Sequence, residues 1–181
     1  MKNFIRVVVI LFFLAVALEI VREAVYFFSP VSADEAFKIV LIEPGSFYKN
    51  AEVLAQEGII KDPRRFARIV RVLRVQSKVK IGEYEVRMNM SPYQILKVMM
   101  SGKSVLHAVH IPEGYNIEQI AEDLAAKKLV NRKEFLQLAR DGHMAKYLGI
   151  DEGGLEGYLY PETYSFTHFT GDRVILVNGF S

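Results

Sequence analysis

The sequence predicts an α+β protein: an N-terminal transmembrane helix, a small βααβ module, and then the beginning of a second, mixed α+β domain. Three observations carry this prediction. An apolar run without charge, Val7 to Leu18, stands close to the N-terminus. Two later stretches, residues 37–73 and 106–141, repeat one order of β-type run, Pro/Gly turn and two helical patterns. A third stretch, LEGYLYPETYSF at 155–166, alternates aromatic and polar residues as a strand does. The expected divisions are 1–33 for anchor and linker, 34–104 for the first module and 105–181 for the second domain.

The chain has 181 residues, a formal net charge of +2 and no cysteine. The length suits one domain or two small ones. The charge balance gives no argument for nucleic acid, which needs a clustered basic face. Without cysteine there are no disulfides and no thiolate metal sites.

The first element is the apolar run. Extended from Phe4 to Val21 and wound at about 1.5 Å per residue, it comes close to spanning a hydrocarbon core of about 30 Å. Arg6 and Glu19 stand near its ends, where their side chains can reach the interfaces. Lys2 and Arg6 precede it, so the positive-inside rule places the N-terminus in the cytoplasm and the bulk of the chain outside. Two alternatives compete. Val31-Ser32-Ala33 resembles a signal-peptide cleavage site, and a buried core helix would also be apolar.

The repeated units come next. Val- and Ile-rich strands lead into Pro44-Gly45 in one copy and Pro112-Glu113-Gly114 in the other. Asp62 before Pro63 marks a helix start. Asn116 with Gln119, and Asn131 with Glu134, have capping-box spacing. Ile117, Ile120, Ala121 and Leu124 form one apolar stripe; Phe66, Ile69, Val70 and Leu73 form another. A strand at 81–86 closes the first copy, and a helix from Ser91-Pro92 runs to about Gly102. This βααβ order resembles a LysM domain, which implies binding to N-acetylglucosamine-containing glycans. A generic α+β packing module is the alternative.

If Gly82 and Gly157 correspond, Glu156 stands where the first copy has Ile81. A carboxylate at an apolar position would be half buried, and burial favours its neutral form. That is the state a general acid needs. A surface carboxylate is the plain alternative.

The segment IPEGYNIEQIAEDLAAKKLVNRKEFLQLA followed by LEGYLYPETYSF resembles the endolytic murein transglycosylase family, which also carries the older label aminodeoxychorismate lyase-like. Members are anchored in the bacterial cytoplasmic membrane and carry a LysM-like subdomain before the catalytic domain. The resemblance implies that Glu156 is the catalytic residue. It implies cleavage of the bond between N-acetylmuramic acid and N-acetylglucosamine, leaving 1,6-anhydromuramoyl ends on nascent glycan strands. The implied partners are peptidoglycan and the wall-synthesis machinery. No metal and no cofactor are implied, and nothing in the spacing supports pyridoxal phosphate chemistry. Tyr158, Tyr160 and Tyr164 offer flat faces for sugar rings, against the alternative of core packing. Glu162 is grouped with these tyrosines as a substrate-binding residue; its alternatives are a turn or helix-start residue after Pro161, or a second carboxylate, for which a hydrolase needs a separation of about 5–5.5 or 6.5–9.5 Å.

Other candidates are weaker. His107 and His110 fall on opposite faces of a strand, and His143 and His168 have no ligand spacing. Arg64, Arg65, Arg68, Arg71 and Arg74 read as a solvated helix face, with anionic lipid or wall polymer as the alternative. The family's catalytic domain continues well beyond the glutamate motif, so a fragment or a short form is expected. The rival function is a non-catalytic, membrane-anchored glycan-binding module or an envelope tether.

Overall fold

The computed structural model describes residues 1–150, 155, 156, 158 and 160–178. The chain divides into two compact units, Met1–Lys103 and Ser104–Ser181. Both are mixed α and β, and the first begins with the long apolar helix.

That helix, α1, spans Lys2–Phe28. Its segment Asn3–Phe28 is long and apolar enough to cross a membrane, and none of its most apolar window is buried in the protein. A core helix would be buried, so that alternative does not fit. The helix also runs past the expected end of the span. Its last two turns join the first unit, where Phe27 is only 5% exposed. The Phe27 ring meets Phe66 at 6.4 Å and Tyr93 at 5.7 Å.

The first unit pairs β1 (Phe37–Ile42) with β2 (Gly82–Arg87) as antiparallel neighbours. Val40 lies opposite Tyr84, and alternation turns Val40, Ile42, Tyr84 and Val86 into the core. Between the strands run α2 (Phe47–Gln56) and α3 (Pro63–Val72), and after β2 comes α4 (Pro92–Ser101). The caps are those the sequence marks. Asp62 accepts from the N–H groups of Arg64 and Arg65, and Ser91 with Gln94 forms a reciprocal capping box. The buried Asn50 side chain spans the Pro44-Gly45 turn, accepting from the Glu43 N–H and donating to its carbonyl. Gly102 ends α4 at φ 71°, where a Cβ would collide with the Lys80 side chain.

The expected stripe on α3 holds only in part. Phe66 and Val70 are buried, whereas Leu73 is 50% exposed. The basic face is not uniformly solvated either. Arg65 Nε and Arg68 Nη2 reach the two carboxylate oxygens of Glu23 on α1, at 3.2 and 2.7 Å.

The second unit repeats the plan. Strand β3 (His107–His110) pairs antiparallel with β4 (Thr163–Phe166), and α5 (Ile117–Ala126), α6 (Arg132–Ala139) and α7 (Gly142–Tyr147) lie between them in sequence. Helix α8 (Asp172–Asn178) follows and buries Ile175 and Leu176. Thr163 lies opposite His110, the last residue of β3, as Gly82 lies opposite Ile42, the last residue of β1. The closing strands of the two units thus begin at Gly82 and at Thr163, and the expected match of Gly82 to Gly157 rests on a residue between α7 and β4. Gly157 itself lies outside the described residues.

Two forces hold α1 to the first unit, and magnitude separates them. A fully buried Phe stabilises by about 1.5–3 kcal/mol, and a partly exposed ion pair by about 0.2–1 kcal/mol. Phe27→Ala is therefore expected to destabilise the unit by about 3–5 kcal/mol, because it also leaves a cavity. Glu23→Gln should cost about 1 kcal/mol or less. Chemical unfolding of the full chain in detergent micelles measures both; equal losses would contradict this order.

Candidate functional site

The sequence candidates cluster in the second unit, around the start of α5 and the segment leading into β4. Helix α5 begins cleanly because Asn116 and Gln119 form a capping box. The Asn116 side chain accepts from the Gln119 N–H at 2.8 Å, and Gln119 returns a bond to the Asn116 N–H at 2.9 Å. The N–H of Ile117, the first residue of the helix, is left for another acceptor.

That acceptor is Glu156. The Ile117 N–H donates to its carboxylate, 3.2 Å from Oε1 and 3.4 Å from Oε2. The preceding residue fixes its position: Leu155 is 1% exposed in the core, and its N–H donates to the Ala139 carbonyl at 2.9 Å. Glu156 is itself exposed, which corrects the expectation of a half-buried carboxylate. Ile81 is likewise 48% exposed rather than buried. What surrounds the carboxylate is a helix N-terminus, where the backbone dipoles favour negative charge.

The tyrosines divide. Tyr158 and Tyr160 are 52% and 62% exposed, so their faces are open rather than packed in a core. Tyr164 is half-buried on β4, its ring stacked with Phe166 at 5.9 Å and its hydroxyl donating to the Tyr160 carbonyl at 3.1 Å. Burial raises the Tyr164 phenol above its ordinary value of 10.0, and negative charge at Glu162 and Tyr160 adds to this. The hydroxyl is thus neutral at physiological pH. Glu162 is exposed in the bend before β4, and its carbonyl extends the β3–β4 ladder by accepting from the Ile111 N–H at 2.9 Å. Among the histidines, His110 Nδ1 lies 3.2 Å from Thr163 Oγ1 across that ladder. The sequence reading missed the Ile117 N–H, although the capping-box signal at Asn116 marks where an unpaired helix donor must be.

Residues 40–178 match the model of the YceG-like family. The chain belongs to the YceG-like family. Curated relatives named endolytic murein transglycosylase come from Streptococcus pneumoniae serotype 2 (strain D39 / NCTC 7466) and Streptococcus pneumoniae (strain ATCC BAA-255 / R6). Each is 31% identical over 118 residues, covering 51% of this chain and 21% of the relative. The chain thus spans about a fifth of the length of these relatives. A crystal structure of a yceG-like protein from Listeria monocytogenes is also similar, at 27% identity and a TM-score of 0.45, covering 81% of this chain and 53% of that one. The YceG-like match spans both units, from β1 to the end of α8.

Leu155 is the residue that places Glu156. Leu155→Ala should destabilise the second unit by about 2–5 kcal/mol and reduce amide-exchange protection at Ile117. Unchanged protection would show that Glu156 holds its place without this anchor.

Asp172, at the start of α8, supplies a pH test. Burial, and then the Glu134 charge, raise it above the ordinary value of 3.8; its own backbone lowers it in smaller part. A folded value above the unfolded one means the contribution to stability is full below the ordinary carboxylate range. It is lost as pH rises through the folded value. Asp172→Asn should therefore raise the thermal midpoint at neutral pH, and the gain should vanish in acid. A gain independent of pH would refute this.

Proposed function

We propose that this YceG-like chain acts on peptidoglycan as an endolytic lytic transglycosylase, with Glu156 as its acid and base. The observation that carries the reading is the Glu156 carboxylate, held by Leu155 in the core and by the Ile117 N–H at the mouth of α5. The names of the Streptococcus pneumoniae relatives support it.

The chemistry needs one carboxyl group. Protonated Glu156 gives its proton to the glycosidic oxygen as the bond from the anomeric carbon to that oxygen breaks. The carboxylate so formed takes the proton of the muramoyl 6-hydroxyl, whose oxygen then bonds to the anomeric carbon. Glu156 ends protonated, and no water is consumed. The Ile117 N–H suits the middle of this cycle, where the group is an anion beside a helix N-terminus. The acid half needs the neutral form. Tyr158 and Tyr160 provide open aromatic faces for the sugar rings of a glycan strand. Glu162 serves as a turn residue beside the ladder.

The chain is further proposed to be a single-pass protein of the cytoplasmic membrane, its N-terminus inside. Lys2 and Arg6 support the orientation. The docking of Phe27 supports an anchor over a cleaved signal, because cleavage after Ala33 would strip a buried aromatic from the first core.

The strand–helix–helix–strand order of the first unit favours a second reading, a glycan-binding module that does not cleave. Its likeness to LysM would place binding on residues 38–104. One experiment separates the two: purified glycan strands incubated with the full chain in detergent and read by mass spectrometry. The transglycosylase reading expects 1,6-anhydromuramoyl ends, reduced about 10²–10⁴-fold in Glu156→Gln, the range for loss of a general acid–base group. Binding without cleavage in both proteins favours the module instead.

A further inference from the structure

Three contacts fix how α3 runs along α1. At the start of α3, the Tyr26 hydroxyl donates to the Asp62 carbonyl at 2.7 Å. In the middle, Arg65 and Arg68 hold Glu23. At its end, Ile69, Val72 and Leu73 share an open groove of about 310 Å³ with Glu19 and Ile20. Helix α3 therefore descends as α1 climbs, and its C-terminal tip returns to the level of Ile20. Ile20 lies within the apolar run of α1, so the tip sits at the depth where that run meets the headgroups.

The tip has the composition for that depth. Val72 is 75% exposed and Leu73 50% exposed. Arg71 and Arg74 are exposed beside them, and no ion pair holds either among the described residues. Arg74 takes φ 56° at the position after the helix where glycine is usual, so a cation stands there at a conformational cost. Apolar side chains flanked by unpaired arginines match a surface with acyl chains beneath anionic phosphates.

We propose that the C-terminal tip of α3 is a second membrane-contact site, in which Val72 and Leu73 enter the interface and Arg71 and Arg74 bind the phosphates of anionic phospholipid. This rests on α1 spanning the bilayer. The groove between Ile20 and Val72 takes the upper part of an acyl chain. The first unit is then held at two points and does not swing about α1.

The chain lacks tryptophan, so Val72→Trp and Leu73→Trp are single reporters. Each full-length variant is placed in nanodiscs of phosphatidylcholine, with or without phosphatidylglycerol. Leu14→Trp reports on α1 separately. In phosphatidylglycerol the tip reporters should emit to the blue and be quenched severalfold by lipid brominated near the glycerol end. Arg71→Glu with Arg74→Glu should remove that dependence on phosphatidylglycerol. Water-like emission from both tip reporters, with Leu14→Trp quenched by lipid brominated at the chain end, overturns the contact and leaves the anchor standing. Leu14→Trp without quenching removes the anchor and the proposal together. A shift produced by soluble polyphosphate but not by phosphatidylglycerol overturns it in favour of an anionic polymer.

Discussion

The burial of Phe27 between Phe66 and Tyr93 is the contact on which the first unit's placement depends. It packs the last turns of an apolar helix directly into a folded core. Ion pairs from Glu23 to Arg65 and Arg68 add direction more than strength, since partly exposed pairs stabilise little. A long helix joined to a folded unit in this way restricts the unit's orientation about the helix axis. From about Ile20 to Phe28 the helix rises only about 12 Å at its usual pitch.

The second unit is built on the same strand–helix–helix–strand scheme but uses it differently. In the first unit the connection to the closing strand is short, and β2 follows soon after α3. In the second, α7 and the Glu156 segment intervene before β4. That longer connection carries a carboxylate to the N-terminus of α5. The scheme leaves a helix donor open at Ile117, and the inserted segment supplies the acceptor. The strands and helices of the unit form its core, and the longer connection carries Glu156 outside it.

Much of this was legible from local chemistry. Asp62 before Pro63, Ser91 before Pro92, and Asn116 with Gln119 each marked a helix start, and each is a cap in the structure. Capping is decided within one turn of chain, so short-range reading captures it. The Val- and Ile-rich run that opens the first unit and the strand at 81–86 were legible for the same reason, as residue type over a few positions marks them. Less was legible after residue 141. Helix α7 is a single short stretch capped by Asp141, too brief for an apolar period to stand out. The closing strand starts at Thr163, inside the longer stretch 155–166 that alternates in the sequence, because pairing depends on a partner strand far away in sequence.

By itself the sequence determined the long apolar helix, the α+β class, the helix starts and the motif around Glu156, all of which depend on residue type and nearby spacing. Only the tertiary structure decided three things. Leu73 and Ile81 point outward, Arg65 and Arg68 turn to Glu23, and Glu156 is exposed against the Ile117 N–H. Exposure and pairing depend on which distant segment arrives beside a residue. Glu156 meets Ile117 across 39 positions of chain, and no local pattern records that meeting.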